Sequence, residues 1–317
     1  MDTAKNKQAL TLVKVGGAVV EDPASLAALL KDFAALPGLK VLVHGGGRAA
    51  TKVSEALGIE SKMVGGRRVT DEKTLEVVTM VYGGLVNKRI VAGLQALGVN
   101  ALGLTGADLG YMLSDKRPVG EVDYGWVGDV RSVDVSVLSD LIGRGVVPVL
   151  APLTYDGAGH LLNTNADTIA GSAAKALAAR FAVTLVYCFE KKGVLQDAAD
   201  EESVIPLITR ESYASLVADG VVCGGMLPKL DNAFEALSAG VSEVRITRAD
   251  ALGAGAGTCI RLCLLLKNIS TCSRSSSRPL RSAATRRRPA TGWKRGCVRT
   301  APTATACSTP CAGSATT

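Results

Sequence analysis

The feature that most constrains the fold is an alternation of short apolar segments with helical patterns, in which apolar segments end in glycines. Residues 10–15 are β-rich and end at Gly16-Gly17, and residues 40–44 are followed by Gly45-Gly46-Gly47. A helical spacing of apolar residues follows each of them. Repeated βα units predict an α/β fold, a three-layer αβα sandwich with a mainly parallel central sheet. Ligands of such folds bind beyond the carboxyl ends of the strands, where these glycines fall.

Strand-like and helix-like segments continue to alternate as far as residue 262. Residues 111–129 interrupt the order and predict an excursion of short strands or loops. The longest helical pattern, 71–97, fits either a core helix or a two-fold dimer contact, because Gly83-Gly84 permits close packing. Further strands are predicted at 101–105, 146–150, 183–188, 242–246 and 257–262, and further helices at 25–36, 48–57, 167–179, 212–218 and 229–239.

The C-terminal segment differs in composition from the rest of the chain. Residues 261–317 carry eleven Lys and Arg and no Asp or Glu, whereas residues 1–260 hold 25 basic and 29 acidic residues. The net charge of +7 therefore says nothing about the main domain. Residues 263–317 are dominated by Ser, Thr, Arg, Ala and Pro, and we predict a disordered basic tail. A frameshifted or vestigial extension is the leading interpretation, and a nucleic-acid-binding arm is the functional alternative.

Cysteine usage and the N-terminus favour a cytoplasmic protein. Cys188, Cys223 and Cys259 lie scattered in the body without C-x-x-C spacing, and the chain has only two His, so no metal site is expected. Scattered thiols in an α/β body are typical of a reducing compartment. Residues 1–10 are polar and of mixed charge, unlike a signal peptide. No apolar run reaches the ~18 residues of a membrane span, so no membrane contact is expected.

Several chemistries have no support in the sequence. It lacks the G-x-x-x-x-G-K-[ST] phosphate loop, H-E-x-x-H and G-x-S-x-G, and two His disfavour a His-dependent nucleophile. Gly45-x-Gly47-x-x-Ala50 satisfies a loose dinucleotide fingerprint. However, residues 58–70 do not form the second strand which that motif needs. Nicotinamide binding is therefore disfavoured.

Positive charge and glycine amides instead indicate an anionic ligand. Lys14 lies inside an apolar strand just before a glycine pair, and the loop 45–47 opens onto a helix N-terminus, which attracts phosphate or carboxylate. Lys229 lies near the start of another helix, where a cation opposes the helix dipole unless an anion binds. Each feature alone has a simpler explanation, namely an edge-strand lysine, a plain glycine turn or, for Asn163-Thr-Asn-Ala-Asp167, ordinary helix capping.

Taken in order, five motifs resemble those of the amino acid kinase family. They are Lys14-Val-Gly-Gly17, His44-Gly-Gly-Gly47, Gly66-Arg-Arg-Val-Thr70, Asn163-Thr-Asn-Ala-Asp167 and Gly224-Gly-Met-Leu-Pro-Lys229. The similarity covers residues 10–262, and the Arg-Val-Thr and Asn-x-Asn-Ala-Asp elements are most similar to the acetylglutamate kinase branch. The resemblance implies the amino acid kinase fold. It also implies transfer of the γ-phosphate of ATP to the γ-carboxylate of N-acetyl-L-glutamate in arginine biosynthesis.

The resemblance implies roles for individual residues. Lys14 and Lys229 would neutralise the transferring phosphoryl group, and Asp167 would orient both lysines. Arg68, helped by Asn163, would bind the α-carboxylate of the substrate. The phosphoryl oxygens and the γ-carboxylate would be held by the backbone N–H groups of Gly17, Gly45 and Gly46.

The nucleotide contacts follow the family pattern less closely. The segment after Val183 would hold ATP with contacts from Lys191, Lys192 and Gly225, but Cys188-Phe-Glu-Lys-Lys-Gly-Val194 departs from the Ser/Thr-Asp of many members. Mg²⁺ would arrive with ATP, because the sequence offers no clear set of protein ligands. Residues 1–180 would bind the acyl-glutamate and form the dimer contact, residues 181–262 would bind ATP, and 263–317 would be the tail.

Assembly and substrate leave alternatives open. Arginine-inhibited relatives carry an extra helix before the first strand, whereas about ten residues precede it here, so the resemblance implies a homodimer insensitive to arginine. N-succinyl-L-glutamate would present the same two carboxylates as N-acetyl-L-glutamate. A non-catalytic amino-acid or nucleotide sensor on the same fold is the other alternative, which intact Lys14, Asp167 and Lys229 disfavour.

Overall fold

The fold is seen in a computed structural model, which describes residues 7–224 and 226–263. The predictions for Gly225 and for the basic tail beyond residue 263 therefore lie outside the described residues. Within the described part, strands and helices alternate along the chain as the sequence predicts. The strands are β1 Ala9–Val15, β2 Leu39–His44, β3 Met63–Val64, β4 Arg67–Arg68, β5 Ala101–Leu104, β6 Met112–Lys116, β7 Gly128–Val133, β8 Val147–Leu150, β9 Leu153–Tyr155, β10 Leu161–Asn163, β11 Ala182–Phe189, β12 Leu207–Thr209, β13 Glu243–Arg248 and β14 Thr258–Arg261.

Nine α-helices connect these strands within the described residues. Asp22 accepts a hydrogen bond from the Ser25 N–H at the start of α2, and Pro23 occupies the first turn, where its missing N–H costs nothing. The helices are α1 Gly17–Glu21, α2 Pro23–Ala35, α3 Gly47–Ala56, α4 Glu72–Val78, α5 Asn87–Ala96, α6 Val135–Gly143, α7 Ala166–Leu177, α8 Arg210–Ala218 and α9 Met226–Ser238.

The central sheet has eight strands in the order β12-β14-β13-β11-β1-β2-β8-β5. All neighbouring strands are parallel except β13 and β14. Helices cover both faces, because two separate apolar clusters lie on opposite sides of β1. Leu10 and Leu12 belong to one cluster, and Val13 and Val15 belong to the other. The predicted three-layer architecture with a mainly parallel sheet is confirmed.

The predicted excursion at 111–129 supplies β6 and the start of β7 to a smaller sheet, whose other strands and a separate hairpin lie outside that range. Strands β10, β9, β6 and β7 make a four-stranded sheet in that order, and β3 pairs with β4. Asn163 is the last residue of β10, and Arg68 is the last residue of β4. The small sheet and the hairpin therefore each contain a strand whose last residue is a predicted binding residue.

The predicted long helix is continuous from Glu72 to Ala96, with a π-helical stretch at Thr79–Val86 between α4 and α5. By length and composition alone it is long and apolar enough to cross a membrane, although it contains no uninterrupted apolar run of the length that the sequence analysis considered. However, 44% of its most apolar window is buried inside the fold, and core helices commonly pass the same test. The helix therefore carries no argument for a membrane.

The central sheet joins the two halves that the sequence analysis separated. Strand β1, from residues 1–180, pairs along its whole length with β11, from residues 181–262. The described residues form one compact unit. The two predicted halves therefore share one sheet. The assignment of the acyl-glutamate to residues 1–180 and of ATP to residues 181–262 stays a prediction.

Candidate functional site

Lys14 lies at the carboxyl end of β1, in the middle of the central sheet. Side chains alternate between the faces of a strand, so Lys14 projects from the same face as Leu10 and Leu12. Those leucines belong to the apolar cluster that includes Ile169 and Ala170 of α7. The strand therefore directs the ammonium group towards the start of α7. The alternative of an edge-strand lysine is wrong.

Asp167 joins the two predicted lysines. Its Oδ1 lies 2.6 Å from Lys14 Nζ, and its Oδ2 lies 3.2 Å from Lys229 Nζ. The side chains of Lys14, Asp167 and Lys229 are 12%, 19% and 30% exposed. Asn165 caps α7 by accepting from the N–H groups of Asp167 and Thr168. Because Asn165 supplies the cap, the Asp167 carboxylate is free to bridge the lysines.

Opposing effects act on the pKa of Asp167. Burial acts to raise this pKa, but the charges of Lys14 and Lys229 and their hydrogen bonds outweigh burial and hold it below its usual value. The carboxylate is therefore ionised at neutral pH. It balances one of the two ammonium charges, which leaves one positive charge for a ligand.

Lys229 approaches the bridge from the opposite half of the chain. It lies in the first turn of α9, where the helix dipole disfavours a cation. Asp167 offsets part of this cost, and Lys229 Nζ lies 5.8 Å from the centre of the Phe189 ring. The ammonium group borders the cleft that also contains Lys14. An anion in this cleft would be attracted by both ammonium groups and by the N-terminus of α9.

Glycine amides lie at two helix N-termini in or beside this cleft. Gly17 begins α1, Gly46 precedes α3 and Gly47 begins it. A Cβ on Gly17 would lie 3.6 Å from both Gly46 N and Gly47 N, so the two N-termini approach closely. No described residue accepts a hydrogen bond from the N–H of Gly17 or Gly46. The first N–H groups of a helix have no intrahelical acceptor and are suited to an anion.

Gly45 differs from its expected role. Its N–H donates to the Val15 carbonyl at 2.9 Å, so this amide does not face a ligand. The glycine is needed for close approach, because a Cβ at this position would lie 3.1 Å from Gly17 N. The assignment of the Gly45 amide to the ligand is therefore corrected, whereas the assignments of Gly17 and Gly46 stay predictions.

Arg68 is a buried cation, with 6% of its surface exposed. Its guanidinium donates to Ser61 Oγ at 2.6 Å, to the Gly47 carbonyl at 2.8 Å and to Thr51 Oγ1 at 2.8 Å. No carboxylate of the described residues forms an ion pair with it. These neutral oxygens fix the side chain without balancing its charge. A buried charge without a counter-ion favours an anionic ligand.

The site consists of two adjacent clefts that share Gly47. We call them the guanidinium cleft, with Arg68 and Asn163, and the ammonium cleft, with Lys14 and Lys229. The Asn163 side chain also donates to Thr70 Oγ1 at 2.9 Å, which fixes its orientation. The guanidinium cleft is lined by residues that include Gly45, Gly46, Gly47, Arg68, Tyr82 and Asn163, and the ammonium cleft by Lys14, Gly16, Gly17, Gly47, Arg48, Glu190 and Lys229.

Comparisons with known proteins identify the family of the chain. The profile of the amino acid kinase family matches residues 9–248. The chain belongs to the amino acid kinase family. It is 68% identical over 255 residues to an acetylglutamate kinase of Bacteroides thetaiotaomicron, which covers 80% of this chain and 99% of that protein. It is 66% identical over 257 residues to an acetylglutamate kinase of Bacteroides fragilis, with 81% and 98% covered.

A solved structure also resembles this member of the amino acid kinase family. A protein of Streptococcus mutans UA159 superposes with a TM-score of 0.66 at 29% sequence identity. The match covers 80% of this chain and 98% of that one. The two proteins therefore share a fold over the compared region.

The two lysines expected at the nucleotide lie apart from both clefts of this family member. Lys191 Nζ lies 3.9 Å from a Glu201 oxygen, and Lys192 pairs with Glu202. Neither lysine lines the guanidinium cleft or the ammonium cleft. The structure therefore does not bring Lys191 and Lys192 together with Lys14 and Lys229, and their contact with ATP stays a prediction.

Sequence analysis missed Arg48, a charged residue of the ammonium cleft, and its pairing with Glu190, a residue that the family resemblance places in the nucleotide segment. Arg48 is the second residue of α3, and its guanidinium lies 3.1 Å from the carboxylate of Glu190, which follows β11. Both side chains are exposed, at 64% and 61%. The signal that singled out Lys229, a cation in the first turn of a helix, applies equally to Arg48. The pairing of Arg48 with Glu190 could not be found from this signal, because 142 positions separate the two residues.

His44, the last residue of β2, makes folding sensitive to acid. It is fully buried, and burial lowers the pKa of its imidazole to about 4. The unfolded chain takes up a proton near pH 6.5, whereas the folded protein does not until about pH 4, so stability falls with pH across this interval.

We expect His44 to lower the free energy of unfolding by up to about 1.4 kcal/mol for each unit by which the pH falls between 6.5 and 4. Urea unfolding of the wild type and of His44→Asn at pH 7, 6 and 5 measures the effect. The wild type should lose stability more steeply than the variant. Equal slopes would contradict a neutral buried His44.

Proposed function

We propose that this protein is a kinase that transfers the γ-phosphate of ATP to the γ-carboxylate of N-acetyl-L-glutamate, in arginine biosynthesis. The products would be an acyl phosphate and ADP. The relatives that are 66–68% identical over nearly their whole length carry the name acetylglutamate kinase. The structural observation that carries the proposal is a buried, unpaired Arg68 beside two ammonium groups bridged by one acid.

The chemistry suits these residues. A carboxylate with a pKa of ~4.3 is already ionised at neutral pH, so the nucleophile needs no general base. The barrier arises because two anions, the carboxylate and the triphosphate, must approach each other. Fixed positive charges and N–H dipoles lower such a barrier more effectively than water does. The ammonium cleft supplies both from Lys14, Lys229 and the amide of Gly17, and the Gly46 amide adds a donor from the adjacent guanidinium cleft.

The two clefts give each end of the acceptor a different partner. Arg68, with Asn163 beside it, would bind the α-carboxylate in the guanidinium cleft. The γ-carboxylate would then reach past Gly47 towards Lys14 and Lys229. A guanidinium held by three neutral oxygens is already oriented, so little side-chain entropy is lost when a carboxylate binds.

In this proposal ATP is a substrate, and Mg²⁺ accompanies it. Residues 181–262 would hold the nucleotide, with Lys191 and Lys192 near its binding segment. Among the described residues no group of three or more His, Cys, Asp or Glu side chains is arranged to hold a metal ion. Mg²⁺ would therefore enter with ATP, where it balances phosphate charge.

The proposal extends to assembly and compartment. The long helix Glu72–Ala96 exposes Met80 and Leu85, at 54% and 48%, and we place a homodimer contact there. Mutual burial of such side chains in a second copy would stabilise the pair. The dimer would work in the reducing cytoplasm.

ADP release with ATP and Mg²⁺ tests the function directly. We expect turnover with N-acetyl-L-glutamate and much less with L-glutamate, whose free amine presents a charge where the acyl group would lie. Higher turnover with N-succinyl-L-glutamate would change the substrate but leave the chemistry in place. Binding of acyl-glutamate without any ADP release would indicate a sensor and contradict the proposal.

Arg68→Gln provides the matched variant for this assay. Gln keeps hydrogen-bonding capacity but removes the charge. We expect KM for the acyl-glutamate to rise about 30-fold or more, since a charge-assisted contact contributes about 2–3 kcal/mol, while KM for ATP changes little. A larger effect on ATP than on the acyl-glutamate would place the α-carboxylate elsewhere.

A further inference from the structure

A buried polar network lies beneath the glycine loop and takes no part in the two clefts. His44 ends β2 and is 0% exposed, and Asn87 begins α5 and is 1% exposed. His44 Nε2 lies 3.2 Å from Asn87 Nδ2. Lys88 Nζ lies 3.2 Å from Asn87 Oδ1 and 3.3 Å from the Gly103 carbonyl. Polar groups this deep in a core are expensive unless every contact is satisfied.

The contacts of Asn87 are consistent with one orientation of its amide. Its Nδ2 donates to the Val149 carbonyl at 3.0 Å, and its Oδ1 accepts from Lys88. Gly103 makes room for this side chain, because a Cβ there would lie 1.7 Å from Asn87 Oδ1. Since Val149 supplies only an acceptor, the Asn87 nitrogen faces both it and His44. Asn87 therefore donates to the imidazole.

This donation determines the tautomer of His44. A neutral imidazole has one donor and one acceptor nitrogen, so Nε2 accepts and Nδ1 carries the hydrogen. Nδ1 lies 2.8 Å from the carbonyl oxygen of Gly45, which can only accept. The nearby charge of Lys88 also disfavours a protonated ring. Every contact of the ring agrees with the Nδ1–H tautomer.

The Gly45 carbonyl belongs to the same peptide group as the Gly46 N–H. The peptide is planar and trans, so its carbonyl and its N–H point in opposite directions. A hydrogen bond that holds the carbonyl towards His44 therefore turns the Gly46 N–H away from the core. No described residue accepts from this N–H, and Gly46 lines the guanidinium cleft.

We infer that His44 is a positioning residue: its Nδ1–H, held in place by Asn87, anchors the Gly45–Gly46 peptide so that the Gly46 N–H is aimed at the reacting anion. The inference rests on the proposed function for the identity of that anion. His44 itself touches no ligand. A preorientated donor matters most when charge develops in the transition state, so its loss should lower kcat more than it raises KM.

Two substitutions of His44 separate positioning from packing. In His44→Asn the side-chain amide replaces Nδ1 and can still donate to Gly45. In His44→Gln the amide replaces Nε2 and leaves the Gly45 carbonyl without its donor. We expect His44→Gln to lose about 30-fold or more in kcat for ADP release, and His44→Asn to stay within about 5-fold of the wild type.

A purely structural histidine would give a different pattern. Both variants would then lose stability and activity together, and equal impairment of kcat in the two would overturn the inference. His160→Gln is the matched control, because His160 is the other histidine of the chain, is exposed and stacks on Trp126. We expect it to change kcat less than 2-fold.

The tautomer can be measured without any variant of His44. The chain has only two histidines, so ¹⁵N-histidine labelling gives two pairs of imidazole nitrogen signals, one pair for each ring, and His160→Gln assigns them. At pH 7 we expect His44 to be neutral with its hydrogen on Nδ1. A hydrogen on Nε2, or a charged ring, would overturn the inference. If the wild type released no ADP, the proposed function would fail while this measurement still decided the tautomer.

Discussion

Lys14→Ala should abolish most turnover without unfolding the protein. The variant loses the ammonium group that lies 2.6 Å from Asp167 at the end of the central strand β1. Removal of one preorganised electrostatic contact to a transition state costs about 10²–10³-fold in kcat. Lys14 is also one of the two ammonium groups that Asp167 only half balances, so its loss removes the surplus positive charge of the three groups, and we expect a loss at the upper end of this range.

Lys229→Ala should behave similarly, because Lys229 reaches the same carboxylate at 3.2 Å. The measurement is steady-state ADP release, with circular dichroism to verify folding. Lys175→Ala is a matched control, since Lys175 makes a comparable 2.6 Å bridge to Glu235 outside both clefts. We expect the control to keep kcat within about 2-fold. Near-wild-type turnover in either cleft variant would refute the phosphoryl clamp.

The parts of the site that follow from local pattern could be predicted from the sequence. The alternation of strands and helices placed Lys14 at a strand end and Lys229 in a first helical turn. The strand period then determined which face Lys14 occupies, and the structure brings both lysines to Asp167. These residues could be predicted because their positions depend on element type and topology, which apolar periodicity reports well.

The parts that depend on register and on long-range contacts could not be predicted. Gly45 looked like a ligand amide, but the parallel ladder between β1 and β2 extends far enough for its N–H to reach Val15. The Arg48–Glu190 pair and the His44–Asn87 pair join positions 142 and 43 residues apart. Periodicity within a segment contains no information on such pairs. Asn165 and Asp167 were equivalent cap candidates until the helix start was known.

Asp167→Asn should leave the fold intact and nearly remove activity. Asn has the same shape but no charge, so one lysine keeps a hydrogen-bond acceptor while two ammonium groups face each other without a counter-charge. We expect kcat to fall about 10²–10³-fold, because both ammonium groups would lose the orientation that the bridge provides. ADP release and circular dichroism measure the two effects.

The stability difference between the wild type and Asp167→Asn should depend on pH in a defined direction. The folded-state pKa of Asp167 is depressed, so its contribution to stability is fully present above its unfolded pKa of ~3.9 and is lost as the pH falls through the folded value. Removal of one partner of a buried pair costs about 3–5 kcal/mol. Because Lys229 is 30% exposed, we expect a cost at or below 3 kcal/mol at pH 7 that shrinks in acid.

A double variant distinguishes an organiser from a general base. If Asp167 acts only by holding the two lysines, then Lys14→Ala combined with Asp167→Asn should lose less kcat than the product of the two single losses, since both remove the Lys14 contact and only the Lys229 contact is left to lose. A base would act on the substrate independently, and the two losses would multiply. Multiplied losses, or an acid limb of the pH–rate profile that vanishes in Asp167→Asn, would contradict the organising role. The ionised carboxylate between two ammonium groups is a weak base, which is why we expect the losses to overlap.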